Sequence, residues 1–229
     1  MKDTAYLLLH GFGGSPEELN YLKNYLESKG LDVYSILLSG HGGGKTEMSK
    51  SKNSDWIKSA EDFYDKYQKE YHKICLIGFS MGGLLSTRLA VHDKVDKLVL
   101  VNTPVYFWNL KVIASDIFGG ILHRNRKALL EYKKSIFDTT PIAVYLSFLA
   151  LLFQTKKLYH LVKKPTLVLQ CKRDEAVYWK SAEFIKHEIN LQAKLNIYPG
   201  GCHQVFNYAS ILRDQMCEDI YTFLSKPKI

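Results

Sequence analysis

The stretch "KICLIGFSMGGLLSTRLAVH", Lys73 to His92, decides how this chain folds. It opens on the apolar run "KICLIGF" and closes on "MGGLLSTRLAVH", whose leucines recur at helical spacing, with Ser80 between them in Gly78-Phe79-Ser80-Met81-Gly82. G-x-S-x-G at a strand-to-helix junction holds its serine on a tight, strained turn, with the hydroxyl projecting from the sheet edge. Gly78 and Gly82 permit the close backbone approach that side chains would block. A serine beside a turn is also an ordinary helix N-cap, so Ser80 reads as a nucleophile only if partners stand elsewhere in the chain.

Outward from this stretch, short β-type runs alternate with helical segments. "YLLLH" near Tyr6, "VYSILL" near Val33, "KLVLVN" near Lys97, "TLVLQC" near Thr166 and "KLNIYP" near Lys194 join "KICLIGF" as candidate strands. Nearly continuous apolar strands belong to a parallel sheet covered on both faces, so the fold class is α/β. Ser15, Pro16 and Glu18 read as a capping box opening a helix that carries Leu19, Leu22 and Leu26 and stops near Gly30. Ser54 opens a second covering helix with Trp56, Ala60, Phe63, Tyr67 and Tyr71 at helical spacing.

The alternation breaks between Thr103 and Lys164, where two apolar stretches flank the basic "HRNRK" at His123 to Lys127. A connection this long reads as an inserted helical cap, residues 103–164, on a core formed by residues 1–102 and 165–229. Within it, "IAVYLSFLALLF" at Ile142 to Phe153 is too short to span a bilayer and is either a buried helix or the wall of a pocket. Tyr106, Phe107, Trp108, Phe148 and Leu152 are the candidate lining of an acyl pocket, and equally the side chains that pack the cap onto the sheet.

Composition sets bounds on the partners. The chain has 229 residues, 46% hydrophobic and 24% charged, enough for one sizeable core. Its net charge of +8 is spread along the sequence and lacks the basic, aromatic-interleaved pattern of a single-strand binder, so nucleic acid is not the expected partner. Cys75, Cys171, Cys202 and Cys217 show no C-x-x-C spacing, and no signal-peptide-length apolar segment stands at the start. A cytoplasmic protein with reduced thiols and no stable membrane insertion is the expectation.

An activated serine needs a base and an orienting acid, which follow a G-x-S-x-G serine in the order Ser, Asp or Glu, His. Asp174 stands just after "TLVLQC", with Glu175 as its near rival; Asp93, Asp96, Asp116 and Asp138 precede a strand or fall in the insertion. His203, in the loop "YPGGCHQVF", is the candidate base, whereas His187 sits inside the helical run "SAEFIKHEI". Cys202 reads as a small buried thiol beside the site. The amides of Met81, after the nucleophile, and Phe12, in "HGFGG" after the first strand, are the candidate oxyanion donors. His10 reads as a brace for that loop, and "SGHGGG" at Ser39 to Gly44 reads as a segment that carries the chain past the site rather than as a phosphate-binding loop.

"LLLHGFGG", "SGHG", "IGFSMGG", "RDE" and "GCHQVF" followed by "EDIYTFL" together resemble the compact bacterial carboxylesterases of the α/β-hydrolase superfamily, near the monoacylglycerol lipases. The resemblance covers nearly the whole chain outside the cap. It implies Ser80, Asp174 and His203 as the triad, Phe12 and Met81 as the oxyanion hole, and hydrolysis of short- to medium-chain acyl esters without a metal or other cofactor. Two departures bear on the pocket: Tyr178 and Trp179 stand where relatives often carry a proline-containing turn, and "GGCH" replaces the more usual "SGH". The same triad also serves thioesterases and acyltransferases, and a ligand receptor on this fold is the competing reading of another class.

Overall fold

The computed structural model describes residues 1–106, 141–189, 193–207 and 211–226. All six apolar runs become strands: β1 Lys2–Leu9, β2 Asp32–Ser35, β3 Tyr71–Phe79, β4 Val95–Val101, β5 Thr166–Cys171 and β6 Ala193–Tyr198. They form one sheet in the order β2-β1-β3-β4-β5-β6, and every neighbouring pair is parallel. This is the α/β-hydrolase type of architecture, a parallel sheet between two layers of helices.

Along the strands successive side chains go to opposite faces, so each apolar run feeds two cores. Leu7, Leu9, Ile74, Leu76, Leu98, Leu100 and Val168 enter one cluster. Leu8, Ile77, Phe79, Val99, Val101 and Leu169 enter the other. The first is covered by α3 Asn53–Gln68, α4 Met81–Leu89, α5 Ile142–Lys156 and α6 Lys180–Ile189, the second by α1 Asn20–Ser28 and α7 Ile211–Ser225. A further short helix, α2 Gly44–Met48, follows β2. The buried polar residue of β4 is Lys97, at 5% exposure, whose ammonium donates to the carbonyls of Phe223, Leu224 and Lys226 at the end of α7. A cation at a helix C-terminus satisfies carbonyls that have no intrahelical donor.

Two local readings are corrected. Tyr71 does not continue the second covering helix: α3 ends at Gln68 and Tyr71 begins β3, where its hydroxyl meets Tyr34 at 2.7 Å and donates to Asp32 at 2.9 Å. Nor does Ser15 open a capping box. It precedes a 3-10 turn, Pro16–Leu19, without a side-chain cap bond, and Glu18 reaches away to the loop after β1. Gly30, at φ +82, does close the helical segment, its N–H donating to Glu27 O at 2.9 Å.

Part of the expected insertion joins the core. Val144, Phe148, Leu151 and Leu152 of α5 are buried in the first cluster, while Ile142, Leu146 and Phe153 are exposed. Residues 107–140, with Phe107, Trp108 and the basic stretch His123 to Lys127, lie outside the described residues. Among the described residues no helix is long and apolar enough to cross a membrane, and no cluster of three His, Cys, Asp or Glu side chains is placed to hold a metal ion. None of the four cysteines is joined in a disulfide.

The register places the site. Leu9 pairs with Gly78, Phe79 with Val101, Val101 with Leu169, and Cys171 with Tyr198, so the loops after β1, β3, β4, β5 and β6 leave one edge of the sheet together. Ligands of open parallel sheets bind at that carboxyl edge.

Candidate active site

Ser80 follows β3 at φ 52 and ψ −119, left-handed backbone that a non-glycine residue rarely adopts. Its N–H donates to Val101 O at 2.9 Å, and α4 starts at the next residue. The motif glycines make the turn possible. A Cβ on Gly82 would stand 2.0 Å from Leu9 O, and one on Gly78 would stand 2.4 Å from Gly82 O.

His203 lies 3.0 Å from Ser80 Oγ through Nε2 and 2.8 Å from Asp174 Oδ2 through Nδ1. With Nδ1 donating to the carboxylate, Nε2 presents its lone pair to the serine hydroxyl. Asp174 is fully buried but well served: Oδ1 accepts the N–H groups of Ala176 at 2.8 Å and Val177 at 2.7 Å. Burial by itself lowers the His203 pKa, but the Asp174 charge and hydrogen bond, helped by Glu175 and Glu18, outweigh it and hold the imidazole above its ordinary value.

Glu175, the rival carboxylate, is near the same histidine by another route. Its Oε2 accepts the His203 backbone N–H at 3.0 Å, so Asp174 meets the ring and Glu175 the peptide. His187 is exposed on α6 beside Glu188, 3.2 Å away. Cys202 is half-buried rather than buried, and its thiol is pushed up in pKa chiefly by desolvation.

The loop after β1 is braced from two sides. His10 Nδ1 donates to Gly11 O at 2.9 Å, and its Nε2 accepts the Leu38 N–H at 3.1 Å. Burial pushes its pKa down to about 4, so the ring is neutral and each nitrogen has one role. Glu18 accepts the Gly11 N–H at 3.0 Å and the Gln204 amide at 2.6 Å, joining the Phe12 loop to the His203 loop. Reading the sequence missed this contact because a Glu three residues after a Ser also fits a capping box. The competing signal was the glycine-rich "HGFGG" just before it, which leaves backbone donors without partners.

Met81 is the first residue of α4, where a backbone N–H has no intrahelical acceptor. Phe12 packs its ring 4.8 Å from Phe148 and 5.7 Å from Trp56. Phe148 and Leu152 are buried in the core, at 1% and 4% exposure. Tyr106 is exposed, tied by its N–H to Ser181 Oγ at 2.9 Å and by its carbonyl to the Tyr178 N–H at 3.2 Å. A polar cavity of about 410 Å³ lies beside the Phe12 loop, lined among others by Gly13, Ser15, Glu17, Glu18 and Asn207.

With this geometry in view, the profile of the family described as "Serine aminopeptidase, S33" matches residues 2–208. The chain belongs to this family. A carboxylesterase of Bacillus subtilis (strain 168) is 27% identical over 98% of this chain and 93% of its own. A thermostable monoacylglycerol lipase of Bacillus sp. (strain H-257) is 29% identical over 83% of this chain and 78% of its own. Among solved structures, one from work on two metagenome-derived lipolytic enzymes, LipS and LipT, covers 97% of this chain and 94% of its own, with TM-score 0.80 at 20% identity. The monoacylglycerol lipase of Paleococcus ferrophilus covers 97% and 96%, with TM-score 0.72 at 18% identity. At such identities the structural likeness shows the fold; the family match and the sequence relatives make this chain a compact α/β-hydrolase of the esterase and lipase kind.

Proposed function

We propose that this protein is a serine carboxylesterase that hydrolyses short- to medium-chain acyl esters, monoacylglycerols among the candidates, through an acyl-enzyme. The observation that carries the reading is the unbroken relay from Ser80 Oγ to His203 Nε2 at 3.0 Å and from His203 Nδ1 to Asp174 Oδ2 at 2.8 Å. In this reading His203 takes the hydroxyl proton as Ser80 attacks the acyl carbonyl, and the amides of Phe12 and Met81 stabilise the oxyanion. The imidazolium then protonates the departing alkoxide, and a water activated by the same base releases the acid. Asp174 stabilises the imidazolium and fixes the tautomer.

Sequence similarity to a carboxylesterase and a monoacylglycerol lipase supports ester chemistry. The triad alone does not select the leaving group. The test is a turnover panel of p-nitrophenyl esters, monoacylglycerols, acyl-CoA thioesters and, because of the family's description, an aminoacyl arylamide. Fastest turnover on oxygen esters is expected. Preference for the thioester or the arylamide would replace the reading, and binding without turnover would make the protein a receptor.

A further inference from the structure

We propose that Asn102 is a positioning residue that joins the carriers of Ser80, His203 and Asp174 at one point, the end of β4; the proposal rests on the reading of those three as the hydrolytic relay. Asn102 is completely buried and, with Ser80, one of two non-glycine residues at positive φ among those described, at φ 46. Toward the end of β4 the even-numbered Leu98 and Leu100 enter the first apolar cluster, and Val99 and Val101 the second. An extended residue 102 would carry its amide toward the first. The left-handed turn keeps the side chain at the sheet edge instead, and asparagine is among the few side chains that tolerate it.

Both ends of that amide are used. Oδ1 accepts the Cys171 N–H at 2.9 Å, three residues before Asp174, and Nδ2 donates to the His203 carbonyl at 2.9 Å, with Cys202 O at 3.4 Å. The Asn102 N–H itself donates to Leu169 O at 2.9 Å, and Val101, one residue earlier, accepts the Ser80 N–H at 2.9 Å. Strand end, nucleophile turn, acid-bearing loop and base-bearing loop are therefore linked through two consecutive residues. The peptide groups of His203 are gripped from both sides: its N–H goes to Glu175 and its C=O takes Asn102. His203 lies outside any strand or helix, so these bonds replace the ladder that would otherwise fix it.

Asn102→Gly keeps the backbone conformation accessible and removes both side-chain bonds. Asn102→Asp keeps the acceptor for Cys171 and removes the donor to His203. With a p-nitrophenyl butyrate substrate, both variants should lose about 10- to 100-fold in kcat with KM within about twofold, because a relay displaced by an ångström loses rate rather than binding. The low-field proton of the His203–Asp174 hydrogen bond should broaden or shift in both. Variants that fold as the wild type, by circular dichroism, and keep its kcat and its low-field proton would overturn the proposal. Should neither variant fold, the wild type decides: slow exchange of the Asn102 side-chain amide protons supports the grip on His203, and exchange at the solvent rate overturns it. The proton and exchange measurements need no substrate, so a protein that hydrolyses no ester would sink the functional reading while leaving this proposal to its own result.

Discussion

The rings of Phe12 and Phe148 lie 4.8 Å apart at an interplanar angle of 34°, so α5 rests directly on the loop that carries a proposed oxyanion amide. Phe148 at 1% exposure is a core residue as well as a neighbour of that loop. Phe148→Ala should cost about 3–5 kcal/mol of stability. It should also slow cleavage of an acetate ester, since Phe12 loses its support. Thermal denaturation and acetate turnover below the new melting point check both, and unchanged acetate turnover would separate α5 from the oxyanion loop.

If Phe148 and Leu152 also border the acyl chain, specificity should rise by about 0.8 kcal/mol per methylene up to a limit. Leu152→Ala should then move that limit while leaving short esters cleaved. A chain-length series of p-nitrophenyl esters reads it, and an unmoved limit would make Leu152 a packing residue only.

Ser80 should be the one residue labelled by a fluorophosphonate, and Ser80→Ala should lose roughly four to six orders of magnitude in turnover while staying folded. Mass spectrometry of the labelled peptide locates the adduct. Labelling that survives the substitution would falsify the assignment of the nucleophile.

His203→Ala should be nearly as damaging, and Asp174→Asn severe but less so, because in the proposed mechanism the aspartate orients and stabilises without transferring the proton. Glu175→Gln should be milder than either, since glutamine retains an oxygen for the His203 N–H. A Glu175→Gln loss exceeding that of Asp174→Asn would reverse the two carboxylates' roles.

In the proposed mechanism the neutral imidazole is the working base, and the His203 pKa is raised, so the acidic limb of kcat/KM should have its midpoint above the ordinary histidine value of about 6.5. Glu175→Gln removes one of the charges that raises it, and the limb should move to lower pH. Linkage adds a stability signature. A raised folded pKa means that His203 contributes stability that is fully present below its unfolded value and is lost as pH rises through the folded one. The stability advantage of the wild type over Asp174→Asn should therefore be larger near about pH 5.5 than near about pH 9. Denaturant titrations at the two values check the sign.

The sheet and the meeting of Ser80, His203 and Asp174 were legible for a physical reason. Strands buried on both faces must be apolar at successive positions, and the serine turn must hold glycine where Leu9 O leaves no room for a side chain. Local readings failed where tertiary partners outcompeted sequence neighbours. Glu18 faces Gly11 and Gln204 rather than a helix cap, and Tyr71 obeys the helical spacing of Trp56 and Tyr67 yet starts a strand, bonded to Tyr34 and Asp32. Asn102 was visible only as the last letter of an apolar run. Its use depends on bringing together residues 69 and 101 positions away, which no local pattern encodes.

Ser80 and His203 are 123 residues apart, and the last helix is fastened to the first: Tyr21 donates to Asp214 at 2.8 Å and Tyr25 to Glu218, each pair separated by 193 positions. Long-range closures of this kind are slow steps in folding, because distant segments must meet before their contacts contribute. During synthesis the serine and its turn emerge well before the base-bearing loop. Under the proposed mechanism, a ribosome-bound chain that has released Ser80 but not His203 holds its nucleophile with no proton acceptor, and the nascent protein stays chemically silent until its C-terminal segment has docked.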